Sequence, residues 1–460
     1  MSEVYNVREY HGGIQTIMRY ADVEPLGVES IERQTEMRQL LEKEYAEFRG
    51  RLTLDREQLD AWKLERLRSM VDWAFTTSPF YHEKYRSCGY EKGAIRTYRD
   101  FATLPSISKD DVIAHFPLGM PSNKFKPASC RWMSSSGSSG KQVQIILPQH
   151  RANLDILHKY RMFEFMSGRH LDPSRWIYNI HYCVWWHTSV LGDYRVFTLS
   201  QDCPGFYALK HIKYLRPQII SSIGSYLQQL AAIGERLDVH GVELISTNSE
   251  TTTQQERDRY ESIFRVPVRD EYSSEELDIL AMQCRDKHYH VVEDDVHLEI
   301  INCDSNGVGE IVGTDLWNQA MPMIRYEQGD LCEMDENEQS CTCGSHFHRL
   351  KKLHGRADQG LTTQQGKTIP PASILDAVER FFCQDDSNIL EFRVVQRAPD
   401  HIDVLYICRD KTVSQNDSMF DAFQAHLCKI FAHKVYVKPV QLDEIPPEKS
   451  YKRRTVINQC

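Results

Sequence analysis

The stretch from Gln218 to Thr247 most narrows the folds open to this chain. A β-rich run, QIISS, precedes GSYLQQLAAIGERL, whose apolar residues recur at helical intervals, and a second β-rich run, VELIST, follows. Strand, helix, strand at that spacing is a crossover between parallel strands, and such crossovers are right-handed and lay their helices on the faces of a sheet. Further β-rich runs, WIYNI and YRVFTL, lie upstream. The expected class is α/β with a parallel sheet at its centre.

Both ends read differently from this middle. Leu64, Leu67, Val71, Trp73 and Ala74 place amphipathic helices before about residue 125, with a break at Pro79, Phe80 and Tyr81. Ser108 ahead of Asp110 and Asp111 marks a helix start. After Gly355 the order becomes helix (ASILDAVERFF), strand (EFRVVQ), strand (IDVLYIC), helix (MFDAFQAHLCKIF) and strand (VYVKPV). That is enough for a small α+β domain of roughly 100 residues. The expected division is therefore a large domain over 1–354 and a mobile one over 355–460, joined through the polar stretch GRADQGLTTQQGK.

Composition removes several function classes. Lys and Arg total 55 against 65 Asp and Glu, a formal charge of -10, which argues against a nucleic-acid partner. No run approaches the roughly 18 apolar residues of a membrane span, and the opening residues lack the apolar segment of a secretory signal. Thirteen cysteines, an odd number, do not suit an extracellular disulfide framework, so reduced thiols and a cytoplasmic location are expected.

Local motifs suggest anion chemistry. Ser134-Ser135-Ser136-Gly137-Ser138-Ser139-Gly140-Lys141 offers small residues whose amides and hydroxyls can close around phosphate, with Lys141 as a point charge. It is not a Walker loop, because only two residues separate the glycines and Gln142 follows the lysine. A Gly/Ser tether is the competing reading. Cys341-Thr342-Cys343-Gly344, with Cys284 and His290 upstream, has the residue types of a zinc site, against which stands a set of ordinary thiols. Tyr178, His181, Tyr182, Trp185, Trp186 and His187 crowd one strand end. They can form a slot for a flat acid or simply pack the core.

Four further segments follow in order: Glu271-Tyr272-Ser273-Ser274-Glu275-Glu276, Arg325 to Asp330, Gly355 to Asp358, and Pro446 to Arg454. With the phosphate loop and the SPFYHEKY and LPSISKDDV segments, they make a chain that resembles the acyl-adenylate-forming superfamily, and within it the phenylacetate–CoA ligase branch. The resemblance implies a large N-terminal adenylation domain and a small mobile C-terminal one. It assigns ATP to Ser135, Ser136, Gly137, Ser138, Ser139, Gly140, Lys141, Ser249, Glu250, Tyr272 and Asp330. Mg²⁺ falls to Glu276, the hinge to Arg356 and Asp358, and the catalytic lysine to Lys452. The acid slot would use Tyr178, His181, Trp185 and Trp186. A structural zinc would take Cys284, His290, Cys341 and Cys343, with His288, Cys332, His346 or His348 as substitutes.

This chain has Ser273 and Glu275 where the family has Gly and Thr, and Tyr451 where a Gly precedes the lysine. The implied activity is that of an AMP-forming acid–thiol ligase. It would activate an aromatic or heteroaromatic acid with ATP and pass the acyl group to coenzyme A. Alternative readings send the acyl group to a carrier protein, an amine or a reductase, or make the chain a non-catalytic nucleotide binder. A homodimer is the assembly the resemblance suggests.

Overall fold

In the computed structural model the described residues are 31–135, 142–181, 188–335, 341–382, 388–408, 410, 417–446 and 454–460. The N-terminal part is helical: α1 (Ile31–Gly50), α2 (Arg56–Thr77), α3 (Pro79–Ser87), α4 (Tyr98–Ala102) and α5 (Lys109–His115). The break expected at Pro79 to Tyr81 is confined to Ser78. That residue ends α2 and caps α3, where Pro79 takes a first-turn position that needs no amide donor. Ser108 starts α5 as read, in a reciprocal capping box with Asp111.

A hairpin of β1 (Arg131–Ser134) and β2 (Gln144–Leu147) precedes the long helix α6 (Gln149–Ser167). The doubly covered sheet then builds up through β3 (Ile177–His181), β4 (Val196–Ser200), α7 (Gly205–Leu215), β5 (Ile219–Ser222), α8 (Gly224–Ile233), β6 (Leu244–Thr247), α9 (Gln254–Phe264) and β7 (Val268–Ser274). The five strands pair in parallel in the order β4-β3-β5-β6-β7. The β5–α8–β6 crossover is the one the sequence specifies. Antiparallel β8 (Asp278–Gln283) and β9 (Tyr289–Val291) extend the sheet beyond β7.

Alternation along the strands fills two cores. Ile177, Val196, Ile219 and Leu244 pack on one face with Leu154, Leu157 and Phe163 of α6. Tyr178, Phe197, Ile220 and Ile245 pack on the other with Leu227 of α8 and Tyr260 of α9.

α6 also buries charge. Arg151, His158 and Arg161 are each 1% exposed, so their charge needs partners. Three successive acids supply them. Asp295 lies 2.9 Å from His158 Nδ1 and 3.0 Å from Arg151 Nη1. Asp294 accepts two bonds from Arg161, at 2.6 and 2.7 Å. Glu293 pairs with Lys63 and with Arg56 of α2, the latter at 2.7 Å. The acidic tripeptide thus fastens α2 and α6 to the end of β9.

The remaining strands are β10 (Val296–Ile301), β11 (Val308–Asp315), β12 (Tyr326–Met334) and β13 (Arg349–Arg356). Two compact units result. The first holds the described residues of Met1–Glu299, Val312–Glu327 and Asp335–Leu350, and the second Ile300–Ile311, Gln328–Met334 and Lys351–Cys460. In the second, β14 (Leu361–Thr362) and β15 (Thr368–Ile369) form a hairpin. After it come α10 (Pro371–Phe382), β16 (Ile389–Ala398), β17 (His401–Cys408), α11 (Asp417–Phe431), β18 (Tyr436–Gln441) and β19 (Val456–Asn458). Its four-stranded sheet runs β18-β17-β16-β19. Ile374, Val378 and Phe382 of α10 meet Phe423 and Leu427 of α11 in its core. The helix and strand order read after Gly355 is found from α10 to β18, while the β14–β15 hairpin, in the stretch read as a joint, and β19 are additions to it. Among the described residues no helix is long and apolar enough to cross a membrane.

Candidate active site

Ligands of open parallel sheets bind outside the carboxyl ends of the strands, and of the described candidates His181, Ser249 and Glu250 sit there. Ser135 follows β1; its amide donates to the Val143 carbonyl and its hydroxyl accepts from the Val143 amide, both at 2.9 Å. These two bonds close the hairpin around the Gly/Ser segment. Ser136, Gly137, Ser138, Ser139, Gly140 and Lys141 lie outside the described residues, as do Lys452, Trp185 and Trp186.

Ser249 follows β6 in the left-handed backbone region, at φ +65°, which a non-glycine residue enters only with local support. Support comes from Asn248, whose Oδ1 accepts from Ser249 Oγ at 2.9 Å, and from His181, whose Nε2 lies 3.1 Å from the same hydroxyl. A candidate for the acid slot and a candidate for the nucleotide site are therefore in direct contact. Glu250 turns the other way and accepts from the Ser225 amide at 2.9 Å, at the start of α8. Gly224 opens that helix because a Cβ there would meet Thr252 Oγ1 at 2.1 Å.

Tyr272, Ser273 and Ser274 lie within β7 itself. The strand extends because β8 pairs with it in a hairpin, with a register shift between Tyr272 and Ser273. Glu275 and Glu276 occupy the hairpin's turn, and the Tyr326 hydroxyl approaches Glu276 Oε1 at 3.4 Å. Just before the motif, buried Glu271 pairs with Lys159 of α6. Burial lowers the Lys159 pKa, but the Glu271 carboxylate, together with Asp278 and Asp155, outweighs it and holds the ammonium above its ordinary value.

Tyr178 is fully buried, stacked on Phe197 with centroids 5.5 Å apart, its hydroxyl 3.0 Å from His211 Nδ1. Burial pushes the His211 imidazole down to about 4, so it is neutral at physiological pH. Tyr178 therefore belongs to the core beneath α8 and α9, whereas His181, three residues on, reaches Ser249.

In the second unit Asp330 follows Gly329, whose φ is +76°. A Cβ on that glycine would lie 3.1 Å from Arg356 Nη2. The Arg356 guanidinium also donates to the Gln328 carbonyl at 3.1 Å and pairs with Asp358. The two hinge candidates and the backbone beside Asp330 thus form one cluster.

Cys284, His290, Cys341 and Cys343 place one ligand atom each within 4.8 Å of one another. Cys284 Sγ is 3.8 Å from Cys341 Sγ, and Cys343 Sγ is 3.5 Å from His290 Nε2. His290 Nδ1 donates to the Phe347 carbonyl at 3.0 Å, which leaves Nε2 as the bare nitrogen that ligation requires. The Cys343 contact holds the Cys284 thiol well below the ordinary thiol range, against the effect of burial. The donor set fits tetrahedral zinc. Of the substitutes, His288 lies 3.3 Å from Cys341 Sγ, whereas His346 is bonded to the Leu54 carbonyl and His348 to Glu293. Cys332 is buried in β12.

The sequence alone does not single out Lys159, Glu271 or the Phe347 carbonyl. The only signal for Glu271 was its place one residue before the motif, and the carbonyl has no side-chain signature at all.

No protein-family model matches the chain. A phenylacetate–coenzyme A ligase of Thermus thermophilus is 25% identical over 343 residues, 70% of this chain and 75% of that protein. Protein CapK of Staphylococcus aureus is 22% identical over 407 residues, 84% of this chain and 86% of its own length. Among solved structures, a 2-hydroxyisobutyryl-CoA ligase in its postadenylation state superposes with a TM-score of 0.72 at 18% identity, covering 89% of this chain and 91% of that one. The fold is that of the AMP-forming ligases. In sequence the chain is similar to phenylacetate–coenzyme A ligases over about 70% of its length, at 25% identity.

Proposed function

We propose that the protein uses ATP to activate a carboxylic acid as its acyl-adenylate and then transfers the acyl group to coenzyme A. The observation that carries this reading is the contact of His181 with Ser249, which joins the acid-slot candidate on β3 to the nucleotide candidate after β6.

In the first step a carboxylate oxygen attacks the α-phosphorus of ATP and pyrophosphate leaves. Negative charge builds on the phosphoryl oxygens. The amides and hydroxyls of the Ser135 to Lys141 segment and the Lys452 ammonium are the groups proposed to stabilise it. Glu276 would hold Mg²⁺, whose charge offsets that of the triphosphate when bound. Tyr272 would stack on adenine, and Asp330 would receive the ribose hydroxyls. In the second step a thiolate attacks the acyl carbon and AMP leaves, after the residues beyond Asp358 have reoriented about it. Cys284, His290, Cys341 and Cys343 would hold a zinc ion that fastens the loop after Asp335 to β8 and β9, away from the chemistry.

For the acid we infer an aromatic or heteroaromatic ring, from the likeness to phenylacetate–coenzyme A ligases and from the ring-rich sequence between Tyr178 and His187. Pyrophosphate release from ATP, Mg²⁺ and a panel of such acids tests the first step. Thioester formation on free coenzyme A, compared with a carrier-protein thiol, tests the second. Folded protein that releases no pyrophosphate with any acid would refute the reading.

A further inference from the structure

One face of the sheet changes character abruptly toward its carboxyl edge. Ile177, Val196, Ile219 and Leu244 stand in register on the face that packs against α6, and all four are apolar. Two residues further along the same strands, and so on the same face, stand Asn179, Thr198, Ser221 and Ser246. Every member of this second row is polar and at most 9% exposed. Parallel strands covered on both sides ordinarily run as continuous Val, Ile and Leu, so four adjacent strands turning polar together at one level is a built feature.

The row has more hydrogen-bonding capacity than the described residues use. Asn179 Nδ2 reaches Thr198 Oγ1 only at 3.5 Å, and Asn248 Nδ2 donates to Ser221 Oγ at 3.0 Å. Ser246 Oγ has no hydrogen-bond partner among the described residues, although its side chain is fully buried. Buried hydroxyls almost always find a partner, and one that lacks it calls for a ligand or water. Immediately beyond the row lie His181 and Ser249, both partly exposed, whose contact carries the proposed function.

We propose that the acid taken by this site carries its own hydrogen-bonding group, a hydroxyl or a ring heteroatom, which the Ser221–Ser246 level and His181 recognise. The inference rests on the adenylation reading and narrows its substrate class. A plain hydrocarbon ring would leave Ser246 Oγ, which has no partner among the described residues, desolvated and unpaired. Sites built to bond a substrate hydroxyl reject the analogue that lacks it far more strongly than apolar slots reject a missing methylene.

The test measures pyrophosphate release with matched acids: phenylacetate against mandelate and 4-hydroxyphenylacetate, and benzoate against 3-hydroxybenzoate and pyridine-3-carboxylate. The expected result is a kcat/KM at least about 100-fold higher for a polar member than for its hydrocarbon partner in one or more sets. Ser246→Ala and Ser221→Ala, both small changes in volume, should each reduce that ratio at least about tenfold while the hydrocarbon acid is used no worse. Hydrocarbon acids turned over as well as their polar partners would overturn this inference and leave the adenylation reading standing. So would a preference that neither serine variant alters. Release with no acid of either kind would overturn both.

Discussion

Arg356 grips Asp358 at two points, Nε to Oδ1 at 3.0 Å and Nη2 to Oδ2 at 3.3 Å, while its Nη1 holds the Gln328 carbonyl. The pair closes a short 3₁₀ turn, Ala357–Gln359, on the strand that carries Gly329. At 29% and 47% exposed it is a solvent-screened ion pair, worth at most about 1 kcal/mol. Its proposed importance is conformational: it fixes the backbone at the residue about which the C-terminal residues beyond it would turn.

Asp358→Ala should therefore change the free energy of unfolding by less than about 1 kcal/mol. Asp358→Pro, which fixes φ near −65°, should slow thioester formation at least about tenfold while acid-dependent pyrophosphate release persists. Stopped assays of the two half-reactions check this. Equal loss in both would place Asp358 outside the hinge.

The thiolate and imidazole cluster predicts about one zinc per chain by elemental analysis. Cys341→Ser or His290→Gln should remove it and lower the melting temperature, because metal bound only by the folded state stabilises that state. Zinc content unchanged in both variants would contradict the assignment.

Glu293 supplies a pH dependence of stability. Burial raises its pKa, but Lys63, His348 and Arg56 together pull it well below the carboxylate range. A depressed folded-state pKa contributes stability that is complete above the unfolded value, about 4.3, and is lost as pH falls through the folded one. Unfolding free energy should thus decline on acidification below about pH 4.3, and Glu293→Gln should flatten part of that decline. At pH 7 the same variant should be less stable by about 3–5 kcal/mol, since it leaves the Lys63 and Arg56 charges without their buried partner. Chemical denaturation between pH 7 and 3 measures both effects.

Lys159 and Glu271 link α6 to the residue before Tyr272. Glu271→Gln should raise the KM for ATP more than it lowers kcat, because on this account the pair sets the strand that presents Tyr272 to the adenine. A change in kcat alone would argue that Glu271 acts on the reacting groups instead.

What the sequence discloses follows physical lines. The β5–α8–β6 crossover is legible because a run of apolar residues, a helical repeat and a second run succeed one another within thirty residues. The tail after Gly355 is legible because α10 and α11 are amphipathic and β17 alternates. The Cys and His cluster is legible in part, since Cys341 and Cys343 lie two positions apart in sequence; the role of the Phe347 carbonyl is backbone geometry and has no sequence mark. Tyr178 and His181 illustrate a different limit. Periodicity places both on a strand, but only the pairing with β4 and β5 shows that one enters the core and the other reaches Ser249. The charges of α6 mark a third. Local hydropathy gives Arg151, His158 and Arg161 to solvent, while their partners lie in a tripeptide more than 130 residues away, a distance no local pattern spans.

The central claim is that this chain makes an acyl-adenylate with Lys452 as its charge-stabilising group. The most direct measurement is pyrophosphate release in the presence of ATP, Mg²⁺ and a carboxylic acid, for the wild-type protein and for Lys452→Ala. The account predicts release that requires the acid, and a loss of at least about 100-fold in kcat for the variant with its fold intact. Acid-independent release, or equal rates in the two proteins, would contradict it.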